Sequence, residues 1–178
     1  MRAKAGGSRV SMHSTGLPPG WLAGRWAEVL ESLDVLVLQR ESLGAIPDCP
    51  AEPESAAGWL AARASATPGW PTAVIVSCGH EGAALIEPSG HVAHAEFPSA
   101  PVIDATGSSD ALVGVFLALW LHGVPPSAAL APACAAARLV ATRLGAQELR
   151  PAAADLAAFL PLTAGVPHTD PRQEQAAP

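Results

Sequence analysis

Asp110 is the only formally charged side chain between Asp104 and Arg138, and it stands where the turn Gly107-Ser108-Ser109 opens a strongly apolar segment. The first N–H groups of a helix have no intrahelical acceptor and sit at the positive end of the macrodipole, so such a turn suits an anion, a phosphate above all. Small residues let backbone and ligand approach closely, and a carboxylate beside them can take the proton of a hydroxyl nucleophile. A helix merely capped by Ser109 or Asp110 explains the same letters without any ligand. A second turn, Ser77-Cys78-Gly79-His80-Glu81-Gly82, reads alone as a β-turn. If the fold brings the two turns together, they frame a cleft of nucleotide size. No GxxxxGK[ST] pattern is present, and the single lysine, Lys4, is remote from either turn.

The elements that must position these turns alternate along the chain. A helical stretch from Trp21 to Leu33 feeds Val35-Leu36-Val37-Leu38, an all-apolar run suited to a strand covered on both faces. A Pro/Glu-rich loop over Pro47 to Glu54 leads to an alanine-rich helix from Ser55 to Ala66, stopped by Pro68-Gly69. Thr72 to Ser77 is the next buried strand, and Ala83 to Glu87 and His91 to Phe97 follow around Pro88-Ser89-Gly90 as a hairpin-like connection. Helices over Ser109 to His122 and Ser127 to Thr142 complete the pattern. The expected fold is α/β with a mainly parallel central sheet and helices on its faces, ligands lying at the carboxyl ends of the strands.

Composition narrows the classes. A chain of 178 residues with 49% hydrophobic and 15% charged residues fits one globular domain. Its net charge of −6 leaves no basic stripe for nucleic acid. Ala111 to Val124, the most apolar run, is shorter than a membrane span, so no membrane association is expected. Cys49, Cys78 and Cys134 are odd in number and widely spaced, which points to reduced thiols rather than a disulfide framework or a zinc site. Met1 to Gly7 runs on without an apolar core, so the expected setting is the cytoplasm. Trp21, Trp26, Trp59, Trp70 and Trp120 read as core residues, and His91, His94 and His122 lack metal-ligand spacing.

The segment Asp104-Ala105-Thr106-Gly107-Ser108-Ser109-Asp110-Ala111-Leu112-Val113-Gly114 resembles the C-terminal signature of the ribokinase, or PfkB, carbohydrate-kinase family, D-T-T-G-A-G-D-A-F-x-G. Ser77 to Gly82 resembles that family's T-L-G-x-x-G turn, Thr142 to Gln147 its T-R-x-G-A-Q, and Val35 to Ser42 its strand followed by N-x-x-E. The resemblance covers about residues 10 to 160, in family order. It implies a three-layer ribokinase-like (Rossmann-like) fold, here N-terminally truncated: residues 1–9 a disordered start, 10–162 the nucleotide-binding part and 163–178 a disordered tail.

The activity so implied is ATP-dependent phosphorylation of a hydroxyl on a sugar or sugar-like substrate, with Mg2+ and, as in some relatives, K+. Asp110 would be the general base, and the amides of Gly107, Ser108 and Ser109 the anion hole. Ser77, Gly79 and Gly82 would line the nucleotide site, with Cys134 where relatives often have asparagine near the adenine. Asp104 and Thr106 would flank the monovalent cation, Leu149 standing where some relatives have a serine. Two positions depart from the pattern. Ser109 replaces the glycine before the base, which requires a negative φ there. Gln39-Arg40-Glu41-Ser42 replaces N-x-x-E, so the Mg2+-related carboxylate is displaced to Glu41 or lost at Ser42. The sugar-binding half of the family has no counterpart before residue 10, from which an exposed sheet edge follows, open to a complementing chain or a second copy. The alternative function is a non-catalytic kinase remnant that binds a nucleotide or a partner chain.

Overall fold

The computed structural model describes residues 6–18 and 20–146. The expected tail at 163–178, residues 1–5 of the expected start, and residues 147–162 with Leu149 lie outside the described residues. Five strands, β1 (Ser11–His13), β2 (Val35–Leu38), β3 (Ala73–Ser77), β4 (Gly82–Ile86) and β5 (Val92–Glu96), form one sheet in the order β1-β2-β3-β4-β5. β1, β2 and β3 pair in parallel, whereas β4 is antiparallel to both β3 and β5. Four strands therefore point one way and β4 alone runs back, which is the mainly parallel sheet expected.

Side-chain alternation makes this sheet the middle layer. Successive strand residues face opposite sides. Leu36, Leu38, Val74, Val76, Ala84 and Ile86 share one core with helices α1 (Trp26–Ser32) and α3 (Pro53–Ala64). Val35, Val37, Ala73, Ile75, Ala83 and Leu85 share the other with α4 (Ser108–Leu121) and α5 (Pro126–Ala141). Val35 to Leu38 are at most 3% exposed, and burying each such side chain contributes about 1.5–3 kcal/mol. The uninterrupted apolar run thus records a strand covered twice. In α3, Ala56, Ala57, Leu60 and Ala64 fall on one helical face and are buried. That helix starts at Pro53 rather than Ser55, because Glu52 accepts the Ser55 N–H as its cap and Pro53 needs no acceptor in the first turn. The five tryptophans are half-buried at the edges of these cores, three beneath arginines: Arg9 over Trp120, Arg25 over Trp21 and Arg63 over Trp59.

Two elements were not foreseen. β1 has three residues without alternation, and buried Asp34 holds it in place by accepting the Val10 N–H at 2.8 Å and pairing with Arg9 at 3.4 Å. The single turn α2 (Arg40–Leu43) is fixed from outside. Buried Ser14, just past β1, accepts bonds from the Gln39 N–H (2.9 Å) and the Ser42 hydroxyl (2.8 Å). No helix among the described residues is long and apolar enough to cross a membrane.

Candidate functional site

The carboxyl ends of β1, β2, β3 and β5 open on one side, and a cleft of about 460 Å3 lies there. Its walls hold His13 from β1, Gln39 to Glu41 after β2, Ser77, Gly79 and His80 after β3, and Phe97 after β5. Ala105, Ser108 and Ser109 close it from the start of α4. The two glycine turns that the sequence singled out do meet, at the strand ends where an open α/β sheet places its ligands. A second hollow of about 740 Å3 adjoins it and shares Gln39 and Glu41.

Gly107 initiates α4 with φ 82° and ψ −6°. A Cβ on it would come within 3.0 Å of the Ala146 Cβ, so glycine serves both conformation and packing here. The Ser108 N–H already donates to Ala105 O at 3.1 Å, and the Ala111 N–H to Gly107 O at 2.9 Å. Among the described residues, the amides of Gly107, Ser109 and Asp110 have no recorded backbone acceptor. Of the expected Gly107-Ser108-Ser109 set, the Ser108 amide is therefore engaged within the turn. Ser109 lies inside the helix and does not have positive φ, so the added Cβ is accommodated. Its hydroxyl accepts a 3.1 Å bond from Gln39 Nε2. The two departures from the family pattern therefore touch each other across 70 residues of sequence.

Asp110 follows Ser109 at the rim, its side chain 85% exposed, with Oδ1 3.9 Å from Nδ1 of the mostly buried His13. Burial lowers the His13 pKa and outweighs the opposing pull of Asp110, so the imidazole is neutral near pH 7. At 3.9 Å the pair is neither a hydrogen bond nor, with neutral His13, an ion pair. Glu41 is exposed and lines the cleft, whereas the Ser42 hydroxyl bonds to Ser14. No cluster of three or more His, Cys, Asp or Glu that could hold a metal occurs among the described residues. Glu41 is the one carboxylate among the described residues lining the cleft, which suits a Mg2+ ion that would take phosphates and waters as most of its ligands.

The remaining candidates separate. Ser77 and Gly79 line the cleft. Gly82 is buried in β4, where a Cβ would lie 2.0 Å from Ala95 O, so its glycine serves the approach of β5. Cys134 is wholly buried in the core beneath α5, its thiol 3.6 Å from Ala95 O and its pKa pushed up to about 12 by burial. Neither lines the cleft. Asp104 ties two motifs together: Oδ1 accepts from the Thr106 N–H (2.9 Å) and hydroxyl (2.6 Å), and Oδ2 from the Gly145 N–H (3.0 Å). These bonds lower its pKa, the Thr106 hydroxyl contributing most. Two polar cleft residues escaped the sequence reading, His13 and Arg138. The first had no signal, because its strand had none. The second did: it is the only formal charge in α5, as Asp110 is in α4.

The family model described as pfkB family carbohydrate kinase matches residues 12–153. Among solved structures, ribokinase from Arabidopsis thaliana, complexed with ribose and ATP, is 25% identical with a TM-score of 0.70; the match covers 88% of this chain and 48% of that one. Thermotoga maritima 2-dehydro-3-deoxygluconokinase is 17% identical with a TM-score of 0.71, covering 89% and 51%. A protein from E. coli provisionally assigned as ribokinase II, solved with ATP and Mg2+, is 24% identical with a TM-score of 0.69, covering 88% and 49%. The chain spans about half the length of these structures. No curated protein sequence matches it.

Proposed function

The chain belongs to the pfkB family of carbohydrate kinases, and on that footing we propose that it carries the nucleotide and catalytic part of an ATP-dependent phosphotransferase acting on a hydroxyl of a sugar or sugar-like substrate. The observation that supports this reading is that Ser108 and Ser109 at the start of α4 and Ser77, Gly79 and His80 line one cleft, with Asp110 outside that lining but 3.9 Å from the cleft residue His13. In the reaction, the acceptor oxygen forms a bond to the γ-phosphorus while the bond to the ADP oxygen breaks, and the acceptor proton passes to the Asp110 carboxylate. The amides of Gly107, Ser109 and Asp110 face the charge that accumulates on the transferring group. Glu41 would be the cleft carboxylate to hold Mg2+, which would supply charge neutralisation of the phosphates. A K+ ion beside Asp104 would take the carboxylate's remaining lone pairs and the Thr106 carbonyl. A cytoplasmic setting is part of the reading, supported by three unpaired thiols.

The test is phosphoryl transfer from ATP across a panel of sugars, by the chain alone and with a complementing chain that supplies the rest of the fold. Asp110→Asn lowers the rate by about 10²-fold or more; an unchanged rate removes Asp110 from the mechanism. ATP binding by calorimetry without turnover on any sugar would instead favour the non-catalytic reading.

A further inference from the structure

Arg138 carries the only formal charge in α5, and it lines the same cleft as Ser108. Its guanidinium packs over Phe97, 5.3 Å from the ring centre, and makes two long bonds, Nη1 to Ala100 O at 3.5 Å and Nη2 to His80 O at 3.4 Å. Arginine has five N–H donors in a fixed fork. Two are engaged at the limit of bonding distance, and the buried Nε–H has no acceptor. No carboxylate pairs with Arg138 among the described residues. A half-buried cation without counter-charge is destabilising until an anion reaches it. Ser108 Oγ is also buried without a partner; the third such atom among the described residues, Trp70 Nε1, belongs to the opposite face of the sheet. Two of the three unsatisfied side-chain atoms thus belong to residues of this one cleft. The family pattern has alanine at the position of Ser108, so its hydroxyl is a feature of this chain.

We propose that Arg138 and the Ser108 hydroxyl clamp the phosphate chain of the bound nucleotide. This rests on the nucleotide reading above and adds to it a cationic grip from α5, on the cleft that Ser108 also lines. Binding turns the Nη groups from their long carbonyl bonds to phosphate oxygens, and the Ser108 hydroxyl rotates about χ1 to donate.

Calorimetry with ATP, tripolyphosphate and adenosine, each with Mg2+, tests it on the wild-type chain and on Arg138→Gln, Arg138→Lys and Ser108→Ala, with circular-dichroism melts to verify folding. Arg138→Gln is expected to weaken ATP and tripolyphosphate about tenfold or more and to leave adenosine unchanged, and Ser108→Ala to weaken both anions by roughly threefold. Arg138→Lys, which keeps stem and charge, is expected to fall between wild type and Gln, and it carries the test if the Gln variant does not fold. Equal ATP affinity in wild type and Arg138 variants would overturn the clamp while leaving the nucleotide reading intact. Tripolyphosphate binding that depends on Arg138, with no gain from the nucleoside part of ATP, would uphold the clamp and remove the nucleotide. Failure of both anions to bind the wild type would overturn the clamp.

Discussion

The two glycine turns over the cleft look alike in sequence and are held by opposite means. The turn from Ser77 to Gly82 is closed by its own hairpin, through the Cys78 N–H to Gly82 O at 2.9 Å and the Glu81 N–H to Cys78 O at 3.3 Å. Gly79 at its tip has φ 67° and open space around it. The turn at Gly107 is held from a distance: Gly107 lies against Ala146, Asp104 accepts the Gly145 N–H, and Ser109 accepts from Gln39. The turn from Ser77 to Gly82 is thus closed mainly by its own backbone, with two long bonds of 3.4 Å added from outside, Arg138 Nη2 to His80 O and the Phe97 N–H to Glu81 O. The Gly107 turn is a property of three segments, so its geometry depends on Gln39 before α2 and on Gly145 and Ala146 beyond α5 as much as on its own letters.

Ranking the glycines by substitution sharpens this contrast. Gly82→Ala is expected to be the most damaging, by about 3 kcal/mol or more, since the Cβ meets the β5 backbone at a φ of 135°; urea unfolding measures it. Gly107→Ala should cost about 2 kcal/mol, from left-handed strain plus displacement of Ala146. Gly79→Ala should cost only about 1 kcal/mol, strain alone. If Gly79→Ala proves as harmful as Gly107→Ala, the Gly107 turn is not braced by Ala146 and the contrast fails.

The smallest expected effect concerns acid. Asp104 has its folded-state pKa below the ordinary 3.8, so its contribution is fully present above that value and is lost as pH falls through the lower folded value. The stability gap between wild type and Asp104→Ala should therefore shrink as pH is lowered below about 4. A gap independent of pH would mean that the carboxylate charge does not hold the two motifs together.

Much of the fold was legible because doubly covered strands leave uninterrupted apolar runs. Val35–Leu38 is the observed β2, and Ala73–Ser77 differs from the expected strand by a single residue. β1 was not legible, since three residues placed by the buried Asp34 carry no periodicity of their own. Nor was α2, whose single turn depends on Ser14. Cys134 and Gly82 show the same limit at the site. Position in a motif suggested a nucleotide contact for each, while packing puts one in the core and the other against β5.

By itself the sequence determined the family signature, the α/β alternation and Asp110 as a lone carboxylate at a helix start, because these are local: turn chemistry, hydrophobic period and the absence of neighbouring charge. The tertiary structure alone decided that Ser109 rests on Gln39, that His13 faces Asp110 and that Arg138 comes to the same cleft. Those contacts join segments whose separation is bridged only when the strands pair and both helical layers close on the sheet. No spacing of residues along the chain encodes them.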